Sequence, residues 1–160
     1  MMKAQIAATA ALLTLSACMS GAPVTQAPVT ARAKHASIND RILGFSEPVL
    51  RSYVGKGSKR KEVVGARCTL DSAEFTMPPL TTPVTLRLPE LKGKPTPLRI
   101  SCQSASGEGD AVIQPQIQGT VVAGASPVGI VAAIATSAIV ASRDKWGWGN
   151  NGAALDVTLE

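Results

Sequence analysis

Leu98-Arg99-Ile100-Ser101-Cys102 decides the fold of this chain. Apolar and polar residues alternate at every step, the period of a strand with one face buried and the other wet. Val84-Thr85-Leu86-Arg87-Leu88 repeats the pattern just upstream. Working outward, Val63-Val64-Gly65-Ala66-Arg67-Cys68-Thr69-Leu70, Glu74 to Met77, Ala111-Val112-Ile113-Gln114 and Ala154 to Leu159 supply further candidate strands. Pro78, Pro79, Pro83, Pro89, Pro95 and Pro97 punctuate them, because a proline has no N–H to give a central ladder. Short strands with frequent turns predict a small antiparallel β-sandwich or sheet.

Two stretches break the period. Ile38, Ile42 and Phe45 share helical spacing with Ser37 placed as an N-cap, which predicts a short amphipathic helix or turn in Ser37 to Val54, interrupted at Pro48. Between Asp110 and Arg143 there is no charge, and Ser126-Pro127 reads as an N-cap followed by a first-turn proline. A helix is therefore expected over about 127–142. Ala125, Gly129, Ala133, Ser137 and Ala141 put a small residue at every fourth position, a stripe that lets two backbones approach closely. Some 16 residues rise only about 24 Å, short of the roughly 30 Å hydrocarbon core. The helix is thus expected to pack on the sheet, with membrane insertion or helix-mediated assembly as competing readings. Trp146-Gly147-Trp148-Gly149 reads as a turn whose tryptophans cap the core, and Asn151-Gly152 as another. The expected class is α+β, mainly β.

At the other end, Lys3 precedes an apolar run from Ala4 to Leu15, which is too short to span a bilayer. Residues 1–17 have the three parts of a removable signal peptide. Leu15-Ser16-Ala17-Cys18 closes that run and resembles a bacterial lipobox. What the resemblance implies is cleavage before Cys18, acylation of its thiol and new amine, and residence in the cell envelope. Met19 follows the cysteine where an Asp would signal retention in the inner membrane, so the implied address is the outer membrane, with the domain facing the periplasm. Two or three acyl chains hold a protein firmly, since each buried CH₂ contributes about 0.8 kcal/mol.

With Cys18 acylated, Cys68 and Cys102 remain, an even pair in an oxidising compartment, and a disulfide is expected. A redox pair would show close Cys-x-x-Cys spacing, which these lack. Residues 18–37 contain Ala22-Pro23-Val24-Thr25 and again Ala27-Pro28-Val29-Thr30, composition that reads as a flexible, extended tether. A single β-rich domain is expected over 38–160.

The segments Cys68-Thr69-Leu70, Thr82-Pro83-Val84-Thr85-Leu86 and Leu98-Arg99-Ile100-Ser101-Cys102, followed by a small-residue helix and a last strand, resemble bacterial lipoproteins with a small PEGA-like β domain. Asp71-Ser72-Ala73-Glu74 stands where an Asn-x-x-Gly turn would be expected. The resemblance implies a fold and an envelope setting, and carries no catalytic residues.

The formal net charge is +5, and the surplus is local. Lys34, Arg41, Arg51, Lys56, Lys59, Arg60, Lys61 and Arg67 face only Asp40, Glu47 and Glu62 across that stretch. Lys56, Lys59, Arg60 and Lys61 form a candidate anion-binding group in segment 51–67, beside the alternative of a solvated loop. For an exported protein the acidic partners in reach are anionic lipid and glycan, and nucleic acid is excluded as a partner. Aromatic residues are 3% of the chain, too few to build a base-stacking surface.

No constellation suited to catalysis is present. The single histidine, His35, has no Cys, His or carboxylate cluster around it in sequence, so no metal site is expected. Ser58 to Lys61 matches Ser-x-x-Lys, but in a Gly-flanked charged run without the Ser-Asp-Asn and Lys-Thr-Gly partners. Glu108-Gly109-Asp110 could ligate a weak Ca²⁺, though it lacks an EF-hand register. The chain reads as a lipid-anchored envelope protein with a structural or interaction role, without cofactor and without enzyme activity. The alternatives are an accessory subunit docking on an envelope protein partner through the small-residue helix or the Trp turn, and a binder of anionic lipid or glycan.

Overall fold

The computed structural model describes residues 21–118, 144–150 and 153–160. Among these the chain is mainly β. In chain order the strands are β1 Val29–Thr30, β2 Arg32–Ala33, β3 Ile42–Ser46, β4 Val49–Val54, β5 Lys61–Val63, β6 Arg67–Asp71 and β7 Phe75–Thr76. They continue with β8 Leu80–Thr81, β9 Val84–Lys92, β10 Leu98–Ser104, β11 Gly107–Ile113, β12 Gln116–Ile117, β13 Lys145–Gly147 and β14 Ala154–Leu159. A one-turn helix, α1 Ala36–Asn39, and a 3-10 turn, Gly57–Lys59, complete the elements. The expected signal peptide, Cys18 and the helix expected over about 127–142 lie outside the described residues.

The strands form two sheets. One follows the path β12-β13-β9-β4-β14, with β1 and β3 also on β9 and β5 on β4; the other follows β11-β10-β6-β7-β2, with β8 on β6. Most pairs are antiparallel, as expected, but β1 runs parallel to β9 and β14 parallel to β4. The alternating strands meet as their periodicity requires. Leu86 and Leu88 of β9 bury one face of the first sheet, and Leu98, Ile100 and Cys102 of β10 bury the facing side of the second. Leu50, Leu70, Phe75, Leu155, Val157 and Trp148 complete the core.

The two sheets join at one edge. Glu108 and Glu160 exchange reciprocal backbone hydrogen bonds of 3.3 and 2.8 Å, linking β11 to the end of β14. Gly107 and Gly109 permit this approach: a Cβ on Gly109 would lie 2.0 Å from the Thr158 carbonyl oxygen. The carboxylates of Glu108-Gly109-Asp110 are engaged within the sheet, Glu108 accepting from Gln103 Nε2 and Asp110 from Ser101 Oγ.

Trp148 is fully buried, edge-on to Phe75 at 5.2 Å, so this tryptophan fills the core as expected. Its indole N–H donates to the Thr96 carbonyl at 2.9 Å. Thr96 in turn donates through its amide and hydroxyl to the buried Glu74 carboxylate at 2.8 and 2.7 Å. A buried carboxylate without such donors would be destabilising. Here it ties the β6–β7 turn to the β9–β10 loop.

Three expectations are corrected. Ser37 to Val54 is not a helix beyond α1; it forms β3 and β4, because backbone pairing with β9 and β14 outweighs the helical spacing of Ile38, Ile42 and Phe45. The described part of the tether is not free: residues 21–37 lie on the domain. Gln26 donates to the Thr81 and Pro83 carbonyls, β1 pairs with β9, β2 pairs with β7, and Lys34 reaches Asp71. Unpaired sheet edges supplied partners that composition could not reveal. Thirdly, Trp146 belongs to β13, opposite Leu91 of β9, rather than to a turn.

Candidate functional site

The basic segment is a hairpin. β4 and β5 pair with Ser52 opposite Val63, Tyr53 opposite Glu62 and Val54 opposite Lys61. Between them, Gly55 takes φ +80°, where a Cβ would also meet the Lys59 carbonyl oxygen at 2.8 Å. Gly57 at φ +57° then starts the 3-10 turn, and the whole connection is exposed.

The structure brings Lys56, Lys59, Arg60 and Lys61 onto this one turn and divides them in two. Arg60 bonds Asp156 at 2.7 Å and lays its guanidinium 3.6 Å over the Tyr53 ring. Lys56 meets Glu160 at 3.1 Å, an exposed pair that solvent screens to little energy. Lys59 and Lys61 make no ion pair among the described residues, so they carry the charge this turn offers to an outside partner. Burial pushes the Tyr53 hydroxyl above its ordinary pKa of 10.0, Asp156 and Glu62 add to the rise, and Arg60 and Arg51 oppose it.

Beside the turn lies a contact that sequence reading missed. Arg51 and Glu62 form a largely buried ion pair across β4 and β5. The N-terminal end of the described chain sits on it: the Ala22 amide donates to Glu62 Oε2 at 2.7 Å, and Arg51 Nη1 donates to the Ala22 carbonyl at 2.9 Å. Gly21 packs so tightly there that a Cβ would lie 2.5 Å from atoms of both side chains. The only sequence signal was the small pair Gly21-Ala22 ahead of the prolines.

The remaining candidates separate. Cys68 and Cys102, directly opposed on β6 and β10, form the expected disulfide, both nearly fully buried. His35 is exposed ahead of α1. Ser58 lies in the exposed 3-10 turn, away from any buried helix start. Trp148 is sunk in the core, while Trp146 is half-buried with Lys94 approaching its ring at 5.7 Å. A shallow recess of about 380 Å³ lies between Asp71, Thr96, Arg99 and Val112. Among the described residues no three His, Cys, Asp or Glu side chains converge as a metal site, and no helix is long and apolar enough to cross a membrane.

No family model, curated protein or solved structure matches this chain.

Proposed function

We propose that this chain is a bacterial lipoprotein, held in the outer membrane by acyl chains on Cys18, with a periplasm-facing, disulfide-stapled β domain of structural or interaction role rather than catalytic function. The observation that supports it is how the cysteines divide. Cys68 and Cys102 are committed to each other inside the core, which leaves Cys18, in Leu15-Ser16-Ala17-Cys18 at the end of an apolar run, as the thiol free for modification. A buried disulfide suits the oxidising side of the membrane that a signal peptide would deliver the chain to. The PEGA-like resemblance belongs to the same reading, its three quoted segments corresponding to parts of β6, the approach to and start of β9, and β10.

The test is metabolic labelling of bacteria producing the full chain with an alkyne fatty acid, beside a Cys18→Ala variant. Label on the parent, absent from the variant, together with release of the variant from the membrane fraction, would support the reading. A parent chain that takes up no fatty acid would overturn it.

A further inference from the structure

We propose that the β4–β5 turn is the membrane-facing end of the domain, set against anionic phospholipid headgroups by a spacer of only three residue steps. This inference rests on acylation of Cys18 and adds an orientation to it. The chain is fixed to the domain at Gly21 and Ala22, where both backbone hydrogen-bonding groups of Ala22 are taken by Arg51 and Glu62. From Cys18 to Gly21 an extended chain reaches at most about 10 Å. An anchor at Cys18 therefore holds the Arg51–Glu62 pair close to the headgroups, in place of the long reach that a free tether through residue 37 would allow.

The clamp is at one end of the sandwich. Glu62 adjoins Lys61, the first residue of β5, and the turn carrying Lys59 follows directly from β4. Lys59 and Lys61 are exposed and unpaired among the described residues. Cations beside a membrane are drawn to anionic lipid within a Debye length, which a short spacer satisfies. The far end of the domain, where Lys94 follows β9, lies roughly 40 Å away along the strand direction, from the rise of about 3.3 Å per residue. Lys92 and Lys94 at the far end are also exposed and outside any ion pair among the described residues, so the short spacer selects the turn's end, and Lys59 and Lys61 then meet the headgroups there.

The experiment uses the full acylated chain reconstituted in vesicles of phosphatidylcholine and phosphatidylglycerol carrying a nitroxide on the headgroup. A fluorophore is placed at Ser58→Cys or, separately, at Lys94→Cys, and intact mass first establishes acylation. Quenching severalfold stronger at position 58 than at 94 is expected. A long Gly-Ser insertion before Gly21, combined with Lys59→Glu and Lys61→Glu, should make the two positions equal. In phosphatidylcholine alone the two Lys→Glu changes without the insertion should leave quenching at 58 unaltered. Equal quenching of the acylated parent at both positions, or stronger quenching at 94, would overturn the orientation while leaving the anchor intact. An unacylated chain would remove both.

Discussion

Gly109→Ala tests how the two sheets are joined. The added methyl would lie 2.0 Å from the Thr158 carbonyl oxygen, 2.8 Å from its carbon and 3.2 Å from Leu159 Cα. All three are backbone atoms, so no side chain can swing aside. Restoring ordinary contact at 3.5 Å requires β14 to retreat about 1.5 Å. That strand is bonded along its other edge to β4 from Ala154 to Leu159, and retreat would strain this ladder. Overpacking of this kind costs about 1–3 kcal/mol. Loss of the reciprocal Glu108–Glu160 bonds adds about 1 kcal/mol each, giving a destabilisation of about 3–5 kcal/mol. For a domain this size the melting temperature should fall by roughly 10–30 °C. Thermal unfolding followed by circular dichroism measures it, with Val112→Ala, exposed on the same strand, as a control expected to change stability by about 0.5 kcal/mol or less. A Gly109→Ala protein melting within about 3 °C of the parent would refute the close approach of β11 and β14.

Replacing Cys68 and Cys102 with serine should lower unfolding free energy by roughly 3–4 kcal/mol on the chain-entropy account of a loop this long, read from urea midpoints; an unchanged midpoint would contradict a native disulfide. Trp148→Ala should cost about 3–5 kcal/mol. Trp148→Phe, which keeps a ring against Phe75 but orphans the Thr96 carbonyl, should cost about 1–2 kcal/mol in the same assay. Tyr53 is the only tyrosine, so alkaline absorbance titration reads it directly. Its midpoint should lie above 10.0, and Asp156→Asn should bring it down. Because the raised value favours the neutral hydroxyl in the folded state, this group's contribution to stability is full below pH 10 and is lost as pH rises through the folded-state pKa. A midpoint at or below 10.0 would place Tyr53 in a different environment.

Local alternation was enough to place β10 and the first five residues of β9, since a period of two over several residues admits few other structures. β9 nevertheless continues through Pro89, which lies opposite Phe45, to Lys92, with four successive buried residues that the alternation did not show. It also placed Cys68 and Cys102 on candidate strands, where register could bring them together. Long-range pairing was the part hidden from local reading. Ile42 to Ser46 carries helical spacing but lies along β9 with a bulge beside Gly44, and nothing near residue 42 announces a partner at residue 91. Val63 to Leu70 is divided because Gly65 adopts φ +87°, ending β5 and starting β6 in a different sheet. Residues 21–37 have the composition of a tether, yet short sheet edges at Leu86–Arg87 and Phe75–Thr76 accept them as strands. At the candidate site, the exposed basic turn was legible from its glycines and charges. The Arg51–Glu62 clamp was not, because it joins residues 11 and 40 apart in sequence.

The most direct test of the central claim is the intact mass of the protein purified from bacterial membranes, measured without and with reductant. The account predicts a chain beginning at Cys18 with acyl mass added, which gains two hydrogens when the Cys68–Cys102 bond is reduced. A chain of unmodified mass, or one that gains nothing on reduction, would contradict it.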